Sequence, residues 1–201
     1  MMSLDASGTL AGAITFAKWK GRNYVRERVI PSNPRSGGQT GMRAMMKFLS
    51  QQWAGLSAPN KATWETIADA NNYSPFNAYT SRNAKAWRNF TSPTKATPAA
   101  AAGTESTSGV HTATAGERSI TLAVKCTSAD DGWGVAIFRS TSTGFTPGWD
   151  NLIACVAIDG TNDVPYVDTP LDPDTWYYNF RPFTIDGVFS VADGEIDATV
   201  A

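Results

Sequence analysis

The chain has 201 residues, of which 42% are hydrophobic and 17% charged; this excludes wholesale disorder and leaves room for one large or two small packed domains. The net charge of -1 hides a polarity: residues 1–92 hold 12 Lys/Arg against 4 Asp/Glu (+8), and residues 93–201 hold 5 against 14 (-9). No run approaches the roughly 20 apolar residues of a membrane helix and no signal-peptide pattern opens the chain, so synthesis in a cytoplasm and no membrane contact are expected.

In chain order, residues 10–30 come first. Ala13, Thr15, Ala17 and Trp19 fall on one parity, and Ile14, Phe16, Lys18 and Lys20 on the other. With Tyr24–Ile30 beyond a Gly21-containing turn, this predicts a β-hairpin. A lone hairpin is marginal in water and must pack on something. Pro31-Ser32-Asn33-Pro34 predicts an extended arm, because each proline holds its own φ and bars the preceding residue from the helical region. Ser36 through Gln39 matches a capping box opening a helix to about Ala54, with Met42, Met45, Met46, Leu49 and Trp53 as its buried stripe. Ser57-Ala58-Pro59 opens a second helix, with Trp64, Ile67 and Ala68 on its apolar face. Ser74-Pro75 opens a third, with Phe76, Tyr79, Trp87 and Phe90 along one side.

Residues 91–103, TSPTKATPAAAAG, hold no large apolar side chain and read as a semi-rigid linker. From Thr104 short alternating runs recur between Gly, Asp and Asn turns, the pattern of a β-sandwich. Seven strands are predicted, near 106–114, 118–126, 133–140, 151–158, 163–169, 174–184 and 187–200, with Ile120, Leu122, Val124 and Cys126 facing inward. The expected class is α+β followed by all-β. The domains are a hairpin-plus-three-helix module over 1–92, a linker over 93–103 and a sandwich over 104–201.

Leu171-Asp172-Pro173-Asp174-Thr175-Trp176-Tyr177 follows an L-x-P-x-T-x-Y pattern, and with Trp133 at the head of the third strand the last hundred residues resemble the fibronectin type III fold. The resemblance implies that Tyr177 is a corner tyrosine whose ring fills the core and whose hydroxyl bonds upstream backbone. It implies fold and little about function. The N-terminal half carries Gly21, Val25-Arg26, then Pro31-x-Asn33-Pro34-Arg35-Ser36-x-x-Gln39-x-x-x-Arg43, with Trp53, Leu56 and Trp64 behind. Over residues 8–90 it resembles small virion-associated proteins of tailed phages. That resemblance implies a virion location and other virion proteins, or a homo-oligomer of the chain itself, as partners.

Catalytic chemistry finds little support. His111 is the single histidine; it falls in an expected edge strand, where a surface position is expected, and no nucleophile–base–acid set can be assembled around it. Asp130, Asp131, Asp159, Asp163, Asp172, Asp174, Asp193, Glu195 and Asp197 cluster in the second half, but the Asp-Gly and Asp-Pro turns around them account for the cluster without a metal site or an acid pair. No enzyme activity, metal or cofactor is expected. Cys126 and Cys155 fit no metal or redox spacing; they read as core residues, and a bridge between them stays open. Gly37-Gly38 lacks the phosphate-loop pattern and reads as part of a helix cap.

Lys18, Lys20, Arg22, Arg26, Arg28, Arg35 and Arg43, with Trp19 and Tyr24 interleaved and Asn33 in the arm, form the candidate partner-binding set. Lys18, Lys20 and Arg22 are expected on one face, and Arg26 and Arg28 on a face of the other strand. Docking on an acidic protein lattice leads, ahead of a merely solvated charged face, with nucleic acid third, where phosphates meet Lys/Arg and bases stack on rings. The leading expectation is an accessory or decoration protein of a phage head or head–tail region, anchored by its basic module and projecting the acidic sandwich. A second reading is a tail or fibre adhesion module, with an exposed Trp149 stacking on sugar rings. A third is a nucleic-acid-binding accessory protein.

Overall fold

The computed structural model describes residues 8–10, 13–30, 36–99, 111–125, 132–158, 163–185, 187–190 and 194–201. The chain divides into two compact units, Met1–Arg35 and Ser36–Ala201. In the first, β1 (Gly8–Leu10), β2 (Ile14–Trp19) and β3 (Arg22–Glu27) form an antiparallel sheet in the order β1-β2-β3. Lys20 and Gly21 close β2 on β3 with φ of 48° and 80°. Positive φ at both central residues is the type I′ hairpin turn, which glycine adopts at no steric cost.

The second unit begins with four helices. They are α1 (Gly37–Gly55), α2 (Ala58–Thr63), α3 (Glu65–Asn71) and α4 (Pro75–Arg88). The Ser57 and Ser74 side chains accept from the Asn60 and Asn77 backbone N–H groups at 3.4 and 3.2 Å, satisfying donors that a helix start leaves free. Ser36 is the N-cap of α1, but its side chain makes no cap hydrogen bond, so the expected capping box is not formed. The expected second helix divides at Trp64, which caps both α2 and α3 and is itself buried. On α1 the buried set is Gly41, Met45, Phe48 and Leu49, while Met46 is exposed. Phe48, absent from the expected stripe, meets the sheet described next.

Seven strands follow. They are β4 (Thr112–Gly116), β5 (Ser119–Val124), β6 (Gly132–Ser140), β7 (Leu152–Ala157), β8 (Val164–Asp168), β9 (Asp174–Thr184) and β10 (Ile196–Val200). They form antiparallel sheets of order β4-β5-β8 and β10-β9-β6-β7. Ile120, Leu122, Val124, Val135, Ile137, Tyr178 and Phe180 fill the space between the sheets. The result is a mixed α+β chain with β-sandwich character.

The four-stranded sheet is buried on both faces along β6 and the parts of β7 and β9 beside it, while Asp197 and Thr199 of β10 are exposed. Its outer face meets the helices through Trp133, Ala136, Phe138, Leu152 and Phe183, packed with Met45, Phe48, Leu49, Trp64, Tyr79 and Trp87. The β6 register shifts between Gly132 and Gly134, and a bulge there adds one residue to the pleat. Trp133 thereby joins Ala136 and Phe138 on the helix side, its Nε1–H donating to Gln52 Oε1 at 2.9 Å. On β9 the inward parity takes Trp176, Tyr178 and Phe180. Tyr178, not the expected Tyr177, is the buried tyrosine, and its hydroxyl donates to the Asp168 carboxylate, not to backbone.

The expected boundary at residue 92 differs from the observed one. The helices share a core with the sandwich, and the compact units divide at Arg35/Ser36. The described part of the expected linker, 91–99, is tied down. Asn83 Nδ2 donates to the Thr94 carbonyl at 3.0 Å, Thr94 N–H to Asn83 Oδ1 at 2.9 Å, Trp64 Nε1–H to the Lys95 carbonyl at 2.9 Å, and Lys95 N–H to the Ile185 carbonyl at 3.0 Å. Small polar residues leave backbone groups accessible, and here the Asn83 and Trp64 side chains and the Ile185 carbonyl just beyond β9 satisfy them.

Candidate docking surface on the hairpin sheet

Directly opposite residues of an antiparallel pair share a face. In β2–β3 the pairs are Ile14 with Glu27, Thr15 with Arg26, Phe16 with Val25, Ala17 with Tyr24, Lys18 with Asn23 and Trp19 with Arg22. One face therefore carries Arg26, Tyr24 and Arg22 in a row along β3, with Trp19 beside Arg22. At the rise of a strand that row is about 13 Å long. Arg22, Tyr24, Arg26 and Trp19 are all exposed, Trp19 at 65%. No acid shares their face, and neither arginine has an ion-pair partner among the described residues.

Two expectations about the faces change. Lys18 points to the side opposite Arg22, because they occupy non-matching positions of the register. Lys20 lies in the turn and not in a strand, where its ammonium sits 4.9 Å from the centre of the Trp19 ring. Arg28 follows β3, its backbone N–H donating to the Ala13 carbonyl at 2.7 Å, and its side chain is exposed. Asn33 and Arg35 lie outside the described residues. Arg43 is exposed on α1, in the second unit.

A row of guanidinium, phenol, guanidinium and indole has a defined chemistry. Arginine offers a planar fork of donors matched to carboxylate or phosphate, and it stacks on rings. Tyrosine and tryptophan bring large contact area at small conformational cost. Such groups dominate binding energy at protein interfaces.

The other sequence candidates go elsewhere. Trp149 was expected to be exposed; it is half-buried, edge-on to Trp87 at 5.5 Å and to Phe90 at 5.0 Å. His111 is buried rather than on the surface. It stacks on Phe180 at 4.2 Å, and its Nδ1 accepts from the Lys125 N–H at 3.4 Å. Asp172 is exposed and pairs with Arg118 at 3.2 Å. Glu195 accepts from Thr143 Oγ1 and from the Gly144 N–H. Asp130, Asp131, Asp159, Asp193 and Cys126 lie outside the described residues. Cys155 is half-buried on β7, and burial pushes its thiol up.

One polar cluster escaped the sequence reading. Arg139 Nη1 reaches both oxygens of Asp168 at 2.8 Å, and the Tyr178 hydroxyl donates to Asp168 Oδ2 at 2.9 Å. The Arg139 guanidinium lies over the Trp176 ring at 4.6 Å. Burial, then the Asp168 charge, pushes the Tyr178 phenol well up. The cluster joins β8 of one sheet to β6 and β9 of the other, a structural tie. Asp168 sits in an ordinary alternating strand, so nothing local marked it.

No protein-family model matches the chain, and no curated protein matches it. Among solved structures, one with some likeness is the PKD domain of a peptidase from a Thermoplasmatales archaeon. It is 17% identical, covers 49% of this chain and 98% of its own, and has a TM-score of 0.32. At that TM-score neither fold nor function transfers from it to this chain.

Proposed function

We propose that this chain is a non-enzymatic structural protein of a tailed-phage particle, an accessory or decoration protein of the head or head–tail region. The observation that carries the reading is the exposed Arg26-Tyr24-Arg22-Trp19 row on a basic sheet. Residues 1–35 hold 6 Lys/Arg against 2 Asp/Glu, and residues 36–201 hold 11 against 16. The docking element is thus smaller than the expected 1–92 module: it is the sheet of residues 8–30, while the acidic helices-plus-sandwich unit is the part presented. The acidic unit repels nonspecific anionic contacts. Its sheets of order β4-β5-β8 and β10-β9-β6-β7, with Leu171-Asp172-Pro173 leading into β9, support a fibronectin type III-like reading of the sandwich.

The test is copy number. Particles from the source are purified by density gradient, and the chain is quantified by mass spectrometry. Hundreds of copies per particle are expected for shell decoration, and about a dozen for a neck position. The double variant Arg22→Glu/Arg26→Glu is expected to lower the copy number about tenfold or more, as loss of central interface arginines does. Absence of the wild-type chain from particles would falsify the virion reading. Full incorporation of the double variant would move docking away from this face.

The interleaved rings and arginines also favour a second reading, single-stranded nucleic acid. It predicts that the chain retards an oligonucleotide with steep salt dependence. No retardation at low salt removes it.

A further inference from the structure

The opposite face of the same sheet is apolar at its centre. Phe16 and Val25 form the middle pair of that face, with Ile14 and Glu27 one step toward one end and Lys18 and Asn23 one step toward the other. Val25 is 51% exposed, Ile14 40%, and Phe16 between them is half-buried. Three short strands with a wet apolar face bury too little to hold their form in water. Something has to cover this face, and the register says what fits.

We propose that the Phe16–Val25 face is covered by the same face of a second copy of this chain. An interface about a two-fold axis must be complementary to itself: where residue i meets j, j meets i. This face has that property. Its acid and its base stand at opposite ends, with the apolar pair midway. Turning a second copy over, about an axis in the plane of the sheet and across the strands through Phe16–Val25, brings Lys18 of each to the Ile14–Glu27 end of the other. The open depression at that end is lined by Ala13, Ile14, Val25, Arg26, Glu27 and Arg28, and Glu27, its single carboxylate, is the group the incoming Lys18 ammonium meets. Turning the copy over about an axis along the strands instead sets Lys18 beside Lys18 and Glu27 beside Glu27, which like-charge repulsion opposes. An unrelated partner does not require this symmetric spacing of charges about an apolar centre.

Pairing through this face leaves Trp19, Arg22, Tyr24 and Arg26 outward on both copies. The pair then presents two basic-aromatic rows, so binding to a repeating acidic lattice gains from two simultaneous contacts. The pairing itself does not depend on the virion reading. It is measured on the purified chain alone, with substitutions on the face opposite the arginine row.

Sedimentation of the full-length chain over a roughly hundredfold concentration range tests it, because self-association depends on protomer concentration. A monomer–dimer equilibrium is expected. Val25→Lys is expected to weaken it about tenfold or more. Lys18→Glu alone and Glu27→Lys alone are expected to weaken it similarly. The double variant Lys18→Glu/Glu27→Lys restores opposite charges across the two-fold axis and is expected to recover most of the wild-type affinity. The recovery separates pairing from damage to the sheet, since two damaging substitutions do not repair each other. A wild-type chain that stays monomeric throughout, a dimer indifferent to Val25→Lys, or a double variant no better than the single ones would each overturn the proposal.

Discussion

Asp168 shows how much a single side chain ties together in this sandwich. It is a buried carboxylate that accepts from Arg139 and from Tyr178, so its charge is both paired and hydrogen-bonded. Removing one partner of such a group leaves the other desolvated and uncompensated. Asp168→Asn keeps the shape and removes the charge, so the Arg139 guanidinium loses its counter-ion. The expected loss is about 3 kcal/mol of unfolding free energy, measured as a shift in the denaturant midpoint at unchanged slope. A loss below about 1 kcal/mol would class the pair with screened surface bridges. Asp172→Asn, which breaks only the exposed pair with Arg118, is the comparison and is expected to change little.

At the level of one helix, two glycines set how α1 seats. A Cβ on Gly37 would collide with the Trp149–Asp150 backbone, and one on Gly41 would lie 2.9 Å from both the Trp149 ring and a Leu152 methyl. The helix can therefore lie against the loop before β7 only where it lacks side chains. Gly41→Val is expected to destabilise by about 1–3 kcal/mol through overpacking, read as a lowered thermal midpoint. Gly38 has open space around its Cβ position, so Gly38→Ala is expected to be neutral or slightly stabilising. A neutral Gly41→Val would show that the Trp149 ring moves aside at small cost. The same contact explains why Trp149 was misread. Its Gly/Pro-rich neighbours look like a loop tip in sequence, yet α1, Trp87 and Phe90 close over the ring.

For the molecule as a whole, the helices and sandwich are one folding unit. Trp133, Phe138, Leu152 and Phe183 are covered by helix side chains, so a fragment of residues 104–201 exposes a large apolar sheet face. Such faces drive association. The fragment of residues 36–201 is expected to unfold in one cooperative calorimetric transition, whereas 104–201 is expected to aggregate or bind a hydrophobic dye. A soluble, cooperatively folding 104–201 fragment would restore the boundary read from composition. The composition shift at residue 92 misled because small polar residues resemble a spacer when the groups that bind them lie far off in the chain. Ser92 is 92 residues from Thr184, whose carbonyl accepts from its hydroxyl.

Features with near neighbours as causes were legible in the amino-acid sequence. The Lys20-Gly21 turn, the Ser57 and Ser74 caps, the alternation of Ile120, Leu122 and Val124, and the basic and acidic polarity of the chain all follow from residues a few positions apart. Choices between near-equal alternatives were not legible. Whether Tyr177 or Tyr178 turns inward, whether Trp133 faces the other sheet or the helices, and on which face Arg22 joins Tyr24 are questions of register. Register is set by cross-strand pairing and by a single bulge residue, and a shift of one position exchanges the two faces of a strand. Burial of His111 on Phe180 and of Asp168 beside Arg139 likewise depends on strands brought together only by the fold. A residue's own neighbours carry no record of such partners.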